Sequence, residues 1–175
     1  MRSLQAGDTA QLAVLFERYH LPLFRYLAAL SGNRSLSEDL VQDVFFRVLK
    51  YAKSYDPEHS FAVWLYQLAR NAYFDSHRKR RGEKASLDDM DFPSAELFPE
   101  EVLARKQNVA TLRAALQQLP EEKREVLMLS RFHGMRYEEI AHLLKCEVGT
   151  VKVRVYRALK ELRQVFCELQ GEKVV

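Results

Sequence analysis

Only two cysteines, Cys146 and Cys167, occur in the 175 residues, and they form no C-x-x-C pair. That excludes a disulfide-stapled secreted domain and suits a reducing compartment. No apolar run approaches the roughly 20 residues needed to span a bilayer, and no leader-like segment precedes Leu12. A cytoplasmic protein with no membrane insertion is therefore expected. Charge of one sign is also scarce: the net charge is +3, so any nucleic-acid affinity must come from local clusters rather than from a uniformly basic body. The chain has no phosphate-cradling Gly-x-x-x-x-Gly-Lys, no Gly-x-Ser-x-Gly elbow and no compact carboxylate or Cys/His constellation. His142 and Cys146 are four residues apart, but nothing supplies further metal ligands. No catalysis, cofactor or metal is expected. Alternating apolar and polar stretches long enough for a sheet are missing, as is any internal repeat.

With 47% hydrophobic residues the chain can still bury real cores, and its apolar residues recur at helical spacing. Gly7-Asp8-Thr9-Ala10-Gln11 reads as a capped start for a helix carrying Leu12, Leu15, Phe16, Tyr19, Leu23 and Leu27, with Pro22 expected to kink or split it. Ser31-Gly32-Asn33 stops it. Ser35 and Glu38 have capping-box spacing ahead of Leu36, Leu40, Val41, Val44, Phe45, Val48 and Leu49. After a loop at Tyr55–His59, a third helix runs from Ser60 through Trp64, Leu65, Leu68 and Ala72; this spacing makes Trp64 a core residue. The helix ends in His77-Arg78-Lys79-Arg80-Arg81, and four adjacent cations exceed what a helix C-terminus needs.

Between Gly82 and Pro99 acidic residues accumulate, Pro93 and Pro99 interrupt, and no period survives. This predicts an acidic flexible linker over 82–99 between a domain at 1–81 and another at 100–175. Pro99-Glu100-Glu101 starts a helix with Val102, Val109, Leu112, Leu116 and Leu119; Pro120-Glu121-Glu122 starts another with Val126, Leu127 and Leu129, which ends by Gly134. The fold expected is all-α, about seven helices in two small bundles.

The segment from Tyr137 to Arg157 reads as a helix-turn-helix. Ile140, Ala141 and Leu144 share one face of its first helix, Lys145–Val148 is the turn, and Cys146 is expected to be buried there. In the second helix Val151, Val155, Ala158, Leu159, Leu162 and Phe166 form an apolar stripe. The opposite face carries Lys152, Val153, Tyr156, Arg157 and Lys160. Cations that seek phosphate or fork onto guanine, next to apolar groups that can touch a thymine methyl, make up the residue mix of major-groove reading. Many helix-turn-helix turns have glycine where Lys145 stands, because the backbone there is left-handed. Lysine predicts a slightly different turn and a charge placed near phosphate.

Several blocks, in this order, resemble the sigma factors of the extracytoplasmic-function type, which keep only the second and fourth conserved regions of the sigma-70 family. Glu38–Phe45 resembles the family's polymerase-docking helix and Phe61–Asn71 its promoter-melting helix. Leu119-Pro120, Tyr137–Ala141 and Val148–Arg154 resemble the lead-in and start of its reading helix. The resemblance implies binding to core RNA polymerase through Asp39, Gln42, Asp43, Phe46 and Arg47. It implies recognition of a melted minus-ten strand by Tyr55, His59, Ser60, Phe61, Asn71, Asp75, Arg78 and Arg80, with Tyr55, His59 and Phe61 touching bases. It further implies recognition of a duplex minus-thirty-five element by Lys152, Val153, Tyr156, Arg157 and Lys160, with Thr150 and Arg154 near phosphates, and an anti-sigma factor as a further partner. The family commonly has a small polar residue where Val153 stands, so an apolar base contact is expected there. Two other readings are a dimeric helix-turn-helix regulator that binds duplex without polymerase, and a protein that sequesters polymerase without promoter recognition. The first leaves the Arg78–Arg81 cations, the exposed loop and the acidic linker unexplained.

Overall fold

The computed structural model describes residues 2–5, 10–80 and 100–171. The Asp8 cap, the linker over 82–99 and Arg81 lie outside them. Among the described residues every regular element is helical: α1 (Arg2–Gln5), α2 (Ala10–Ser31), α3 (Arg34–Tyr51), a 3-10 turn (Ala52–Ser54), α4 (Phe61–Arg80), α5 (Glu100–Gln118), α6 (Glu121–Leu127), a π turn (Met128–Phe132), α7 (Tyr137–Leu144) and α8 (Val148–Gln170). The chain divides into two compact units, Met1–Met90 and Asp91–Val175.

In the first unit α2, α3 and α4 close around Leu23, Leu27, Val44, Val48, Leu65 and Tyr73, all essentially without solvent contact. The rings of Tyr26 and Tyr66 meet edge to face at 5.0 Å, and burial drives the Tyr66 hydroxyl far above the usual tyrosine range. Pro22 does not split α2, which is continuous around it. The start of α3 also departs from expectation. Its cap is Asn33, whose Oδ1 accepts from the Leu36 amide at 2.8 Å. Ser35 already lies inside the helix. Asn33 is favoured because Ser31 and the wholly buried Ser37 hold it: the Ser31 hydroxyl accepts from the Asn33 amide at 3.1 Å, and the Ser37 hydroxyl donates to the Asn33 carbonyl at 2.6 Å. The tight turn at Gly32 has φ +65°, which glycine takes without a Cβ clash.

One contact ties the start of the chain to a distant loop. Gln5 Nε2 donates to the carbonyls of Ala52 and Tyr55 at 3.0 and 2.7 Å. This fixes the exit of the 3-10 turn and hence the course of residues 55–60.

In the second unit α5, α6 and α7 pack on α8. Val151, Val155 and Ala158 form the buried stripe of α8, while Leu159, Leu162 and Phe166 further along are half-buried. In α7 the buried side is Ile140, Ala141 and Leu143; Leu144 is only half-buried, so the face is turned slightly from the one expected. Glu139 reaches back to accept from the Arg136 amide at 2.9 Å and so starts α7. The turn corrects a second expectation, because it is not a variant of the left-handed turn. Lys145 itself adopts φ +53° and ψ +50°, the only positive-φ residue other than glycine among those described. Its neighbour Cys146 is half-buried rather than buried.

Candidate nucleic-acid and polymerase interfaces

The left-handed turn after α7 redirects the chain so that α8 packs on α7, and Val151 is fully buried. With Val151, Val155 and Ala158 held inward, the 3.6-residue period leaves Lys152, Tyr156, Arg157 and Lys160 exposed and Arg154 half-exposed. Val153 and Tyr156 stand 47% and 69% exposed. Thr150 is exposed on the first turn. The seven residues expected to read duplex thus lie on the outer surface of one helix, a positive face with two apolar groups at its centre. No side chain caps the start of α8.

The eight residues expected on a single strand fall into two groups. Tyr55, His59, Ser60 and Phe61 belong to the loop before α4. Here the expectation for Tyr55 needs correction: it is 8% exposed and its hydroxyl donates to the His59 carbonyl at 2.6 Å. Its ring lies 5.1 Å from Trp64 and 5.9 Å from Phe61. Burial, with the Asp56 charge nearby, holds its hydroxyl above the usual tyrosine range. Tyr55 therefore shapes the loop and has no free face for a base. His59, 3.1 Å from Asp56 through Nδ1, and Ser60 are exposed; Phe61 is half-exposed and packs edge-on to Tyr19 at 5.2 Å.

Asn71, Asp75 and Arg78 form the second group. They line a cleft of about 700 Å³ between the end of α3 and α4, together with Tyr51, Trp64 and Phe74. Trp64 is half-buried at this cleft and is not a closed core residue. Sequence reasoning missed Tyr51, Arg70 and Phe74 here. The signal was available: Trp64, Leu68, Asn71, Asp75 and Arg78 recur every three or four residues and so trace a second face of α4. Arg70 lies over the Phe74 ring at 4.8 Å. Arg80 is the last residue of α4, and its side chain lies outside the described set.

On α3, Asp39, Gln42 and Phe46 form an outward strip, with Phe46 70% exposed. Arg47 was expected beside them, but its guanidinium turns into the cleft. Nε donates to Asp43 and Nη1 to Asp75, each at 3.0 Å; Asp75 also pairs with Arg78. The Arg47 hydrogen bond, aided by Arg78 and opposed by burial, holds the Asp75 carboxyl below the usual carboxylate range. Burial works against the Arg47 cation, but Asp75 and Asp43 outweigh it and raise its pKa. Among the described residues no three His, Cys, Asp or Glu side chains are gathered as a metal site would need, and no helix is long and apolar enough to cross a membrane.

A helix-turn-helix with an exposed cationic face, in a chain whose other unit carries an aromatic and cationic cleft, is the arrangement of a DNA-binding protein. Two family models match: Sigma-70 region 2 over residues 15–83 and Sigma-70, region 4 over residues 110–162. The chain is 35% identical to the ECF RNA polymerase sigma factor EcfG of Rhodopseudomonas palustris, over 81% of this chain and 78% of that one. It is 31% identical to the RNA polymerase sigma factor CarQ of Myxococcus xanthus, over 98% of each. A solved structure of the sigma factor RpoE with the anti-sigma factor NepR from Bartonella quintana shares the fold at TM-score 0.75 and 23% identity, covering 89% of this chain and 96% of that one. The chain belongs to the extracytoplasmic-function family of sigma-70 RNA polymerase sigma factors.

Proposed function

We propose that this sigma factor docks on core RNA polymerase through the Asp39, Gln42 and Phe46 strip of α3. We further propose that it reads a duplex minus-thirty-five element with the outer face of α8 and holds the melted minus-ten strand along the α3–α4 cleft and the 55–60 loop. The observation that carries this reading is the composition of α8. Lys152, Arg157 and Lys160 can neutralise or fork onto DNA, while Val153 and Tyr156, which a merely solvated helix has little reason to expose, stand outward between them. The uncapped amides of its first turn suit a phosphate. The cleft offers what an unstacked strand needs, namely aromatic faces at Trp64 and Phe74, an amide at Asn71 and cations at Arg70 and Arg78.

Phosphate contacts would place the protein on DNA, and the few side chains that reach base edges would choose the sequence. The protein would act in the cytoplasm with the polymerase and perform no covalent chemistry of its own. The strip on α3 and the face of α8 are also the surfaces that an anti-sigma factor would cover to silence it, as NepR partners the RpoE of Bartonella quintana. Run-off transcription tests the proposal. Core polymerase with the purified chain should start transcripts at discrete promoters in a genomic fragment library, and Arg157→Ala should abolish most of them. Equal initiation without the chain would refute it.

A further inference from the structure

Asp75 is an unexpected residue for a cleft that takes a polyanion, since a fixed carboxylate there repels phosphate. Its partners explain how it can be tolerated. Its two oxygens face two guanidiniums from different helices, Arg47 Nη1 on α3 at 3.0 Å and Arg78 Nη2 on α4. Carboxylate and phosphate oxygens are recognised by the same guanidinium edges. Arg47 is also held from behind, because its Nε is bonded at 3.0 Å to Asp43, four residues earlier on its own helix. Its Nη1 is thus an arm aimed into the cleft that can exchange its acceptor without the side chain losing its anchor. Arg78 is mostly exposed, with 80% of its side chain open, and is equally free to change partner.

We propose that Asp75 is an internal stand-in for a strand phosphate: it occupies Arg47 and Arg78 in the free protein, and the melted strand displaces it from both. The free chain is thereby kept from holding single strands on its own. This inference rests on the cleft being the strand's path. It assigns Arg47 to the strand as a cation steadied by its bond to Asp43, and it makes Asp75 a negative determinant rather than a contact.

The test is binding of the full chain to a fluorescein-labelled thymidine 12-mer across a salt series, for wild type, Asp75→Asn, Arg47→Gln/Arg78→Gln and the triple variant, with circular dichroism to confirm folding. Asp75→Asn should tighten binding about threefold to tenfold, the worth of freeing two partly exposed ion pairs. The gain should vanish in the triple variant, because without the arginines there is nothing to release. Glu38→Gln, which removes an equal charge from a pair on the outside of α3, should give no comparable gain. Should Arg47→Gln not fold, Arg78→Gln alone serves as the background. Weaker binding by Asp75→Asn would overturn the proposal and make Asp75 an orienting group. A gain that survives in the triple variant, or that Glu38→Gln reproduces, would overturn it as a net-charge effect. If Arg47→Gln/Arg78→Gln binds as wild type does, the strand does not use the cleft, and the proposal falls together with the reading beneath it.

Discussion

Lys145→Gly should raise the stability of the helix-turn-helix and lower its hold on DNA, two effects of opposite sign from one side chain. Lys145 has φ +53°, where a Cβ sits close to the following carbonyl and costs an L-residue about 1–2 kcal/mol. Glycine relieves that but gives up more backbone entropy on folding, offsetting roughly 0.5–1 kcal/mol. The net gain is about 0.7 kcal/mol, a factor of about three in the equilibrium for opening α7 and α8. Amide hydrogen exchange at the buried Ile140, Leu143, Val151 and Val155 reads that equilibrium directly. Lys145→Ala keeps the Cβ and should leave protection unchanged, which separates backbone from charge. Both variants lose the exposed ammonium, so each should flatten the slope of log affinity against log salt for a minus-thirty-five duplex by about 0.9, one phosphate contact. Unchanged or reduced protection in Lys145→Gly would refute the strain argument; an unchanged slope in both would remove Lys145 from the interface.

Val153→Ser should exchange an apolar contact for a hydrogen-bonding one and shift the base preferred at one minus-thirty-five position in a binding-site selection; an unchanged preference at every position would exclude base contact by Val153. Leu143→Ala, at a site with no solvent contact, should cost about 2–5 kcal/mol by urea unfolding, whereas Leu144→Ala should cost less. Tyr55→Phe removes the donor to the His59 carbonyl and should cost about 1 kcal/mol while slowing promoter opening more than duplex binding, as seen by stopped-flow fluorescence. Because the Asp75 carboxyl is depressed in the fold, its stabilisation is present above the usual carboxylate range and is lost as pH falls through the lowered value. Asp75→Asn should therefore flatten the acid side of the stability profile below about pH 4, measured by thermal unfolding.

Local patterns carried most of the fold. Helical periods placed every long helix, and Pro120 and Gly134 marked true boundaries. What escaped depended on partners remote in the chain. Asn33 outcompetes Ser35 as a cap because Ser31 and Ser37 brace it. Gln5 shapes a loop about fifty residues away with no local signal. Arg47 sits on the docking helix by spacing, yet an acid on α4, 28 positions on, draws it into the cleft. The α8 face was legible because one helix presents it; of the cleft only the α4 side was, because the α3 side, Arg47 and Tyr51, is brought to it by packing.

The most direct test of the two-surface reading is footprinting of a promoter fragment bound by core polymerase and the full chain, with permanganate to report unpaired thymines and DNase I to report duplex protection. Thymines across the minus-ten element should become reactive with the wild-type chain, and with Trp64→Ala the duplex should stay protected at minus thirty-five while those thymines remain paired. Thymines that stay unreactive with the wild-type chain, despite duplex protection upstream, would contradict strand capture by the α3–α4 unit.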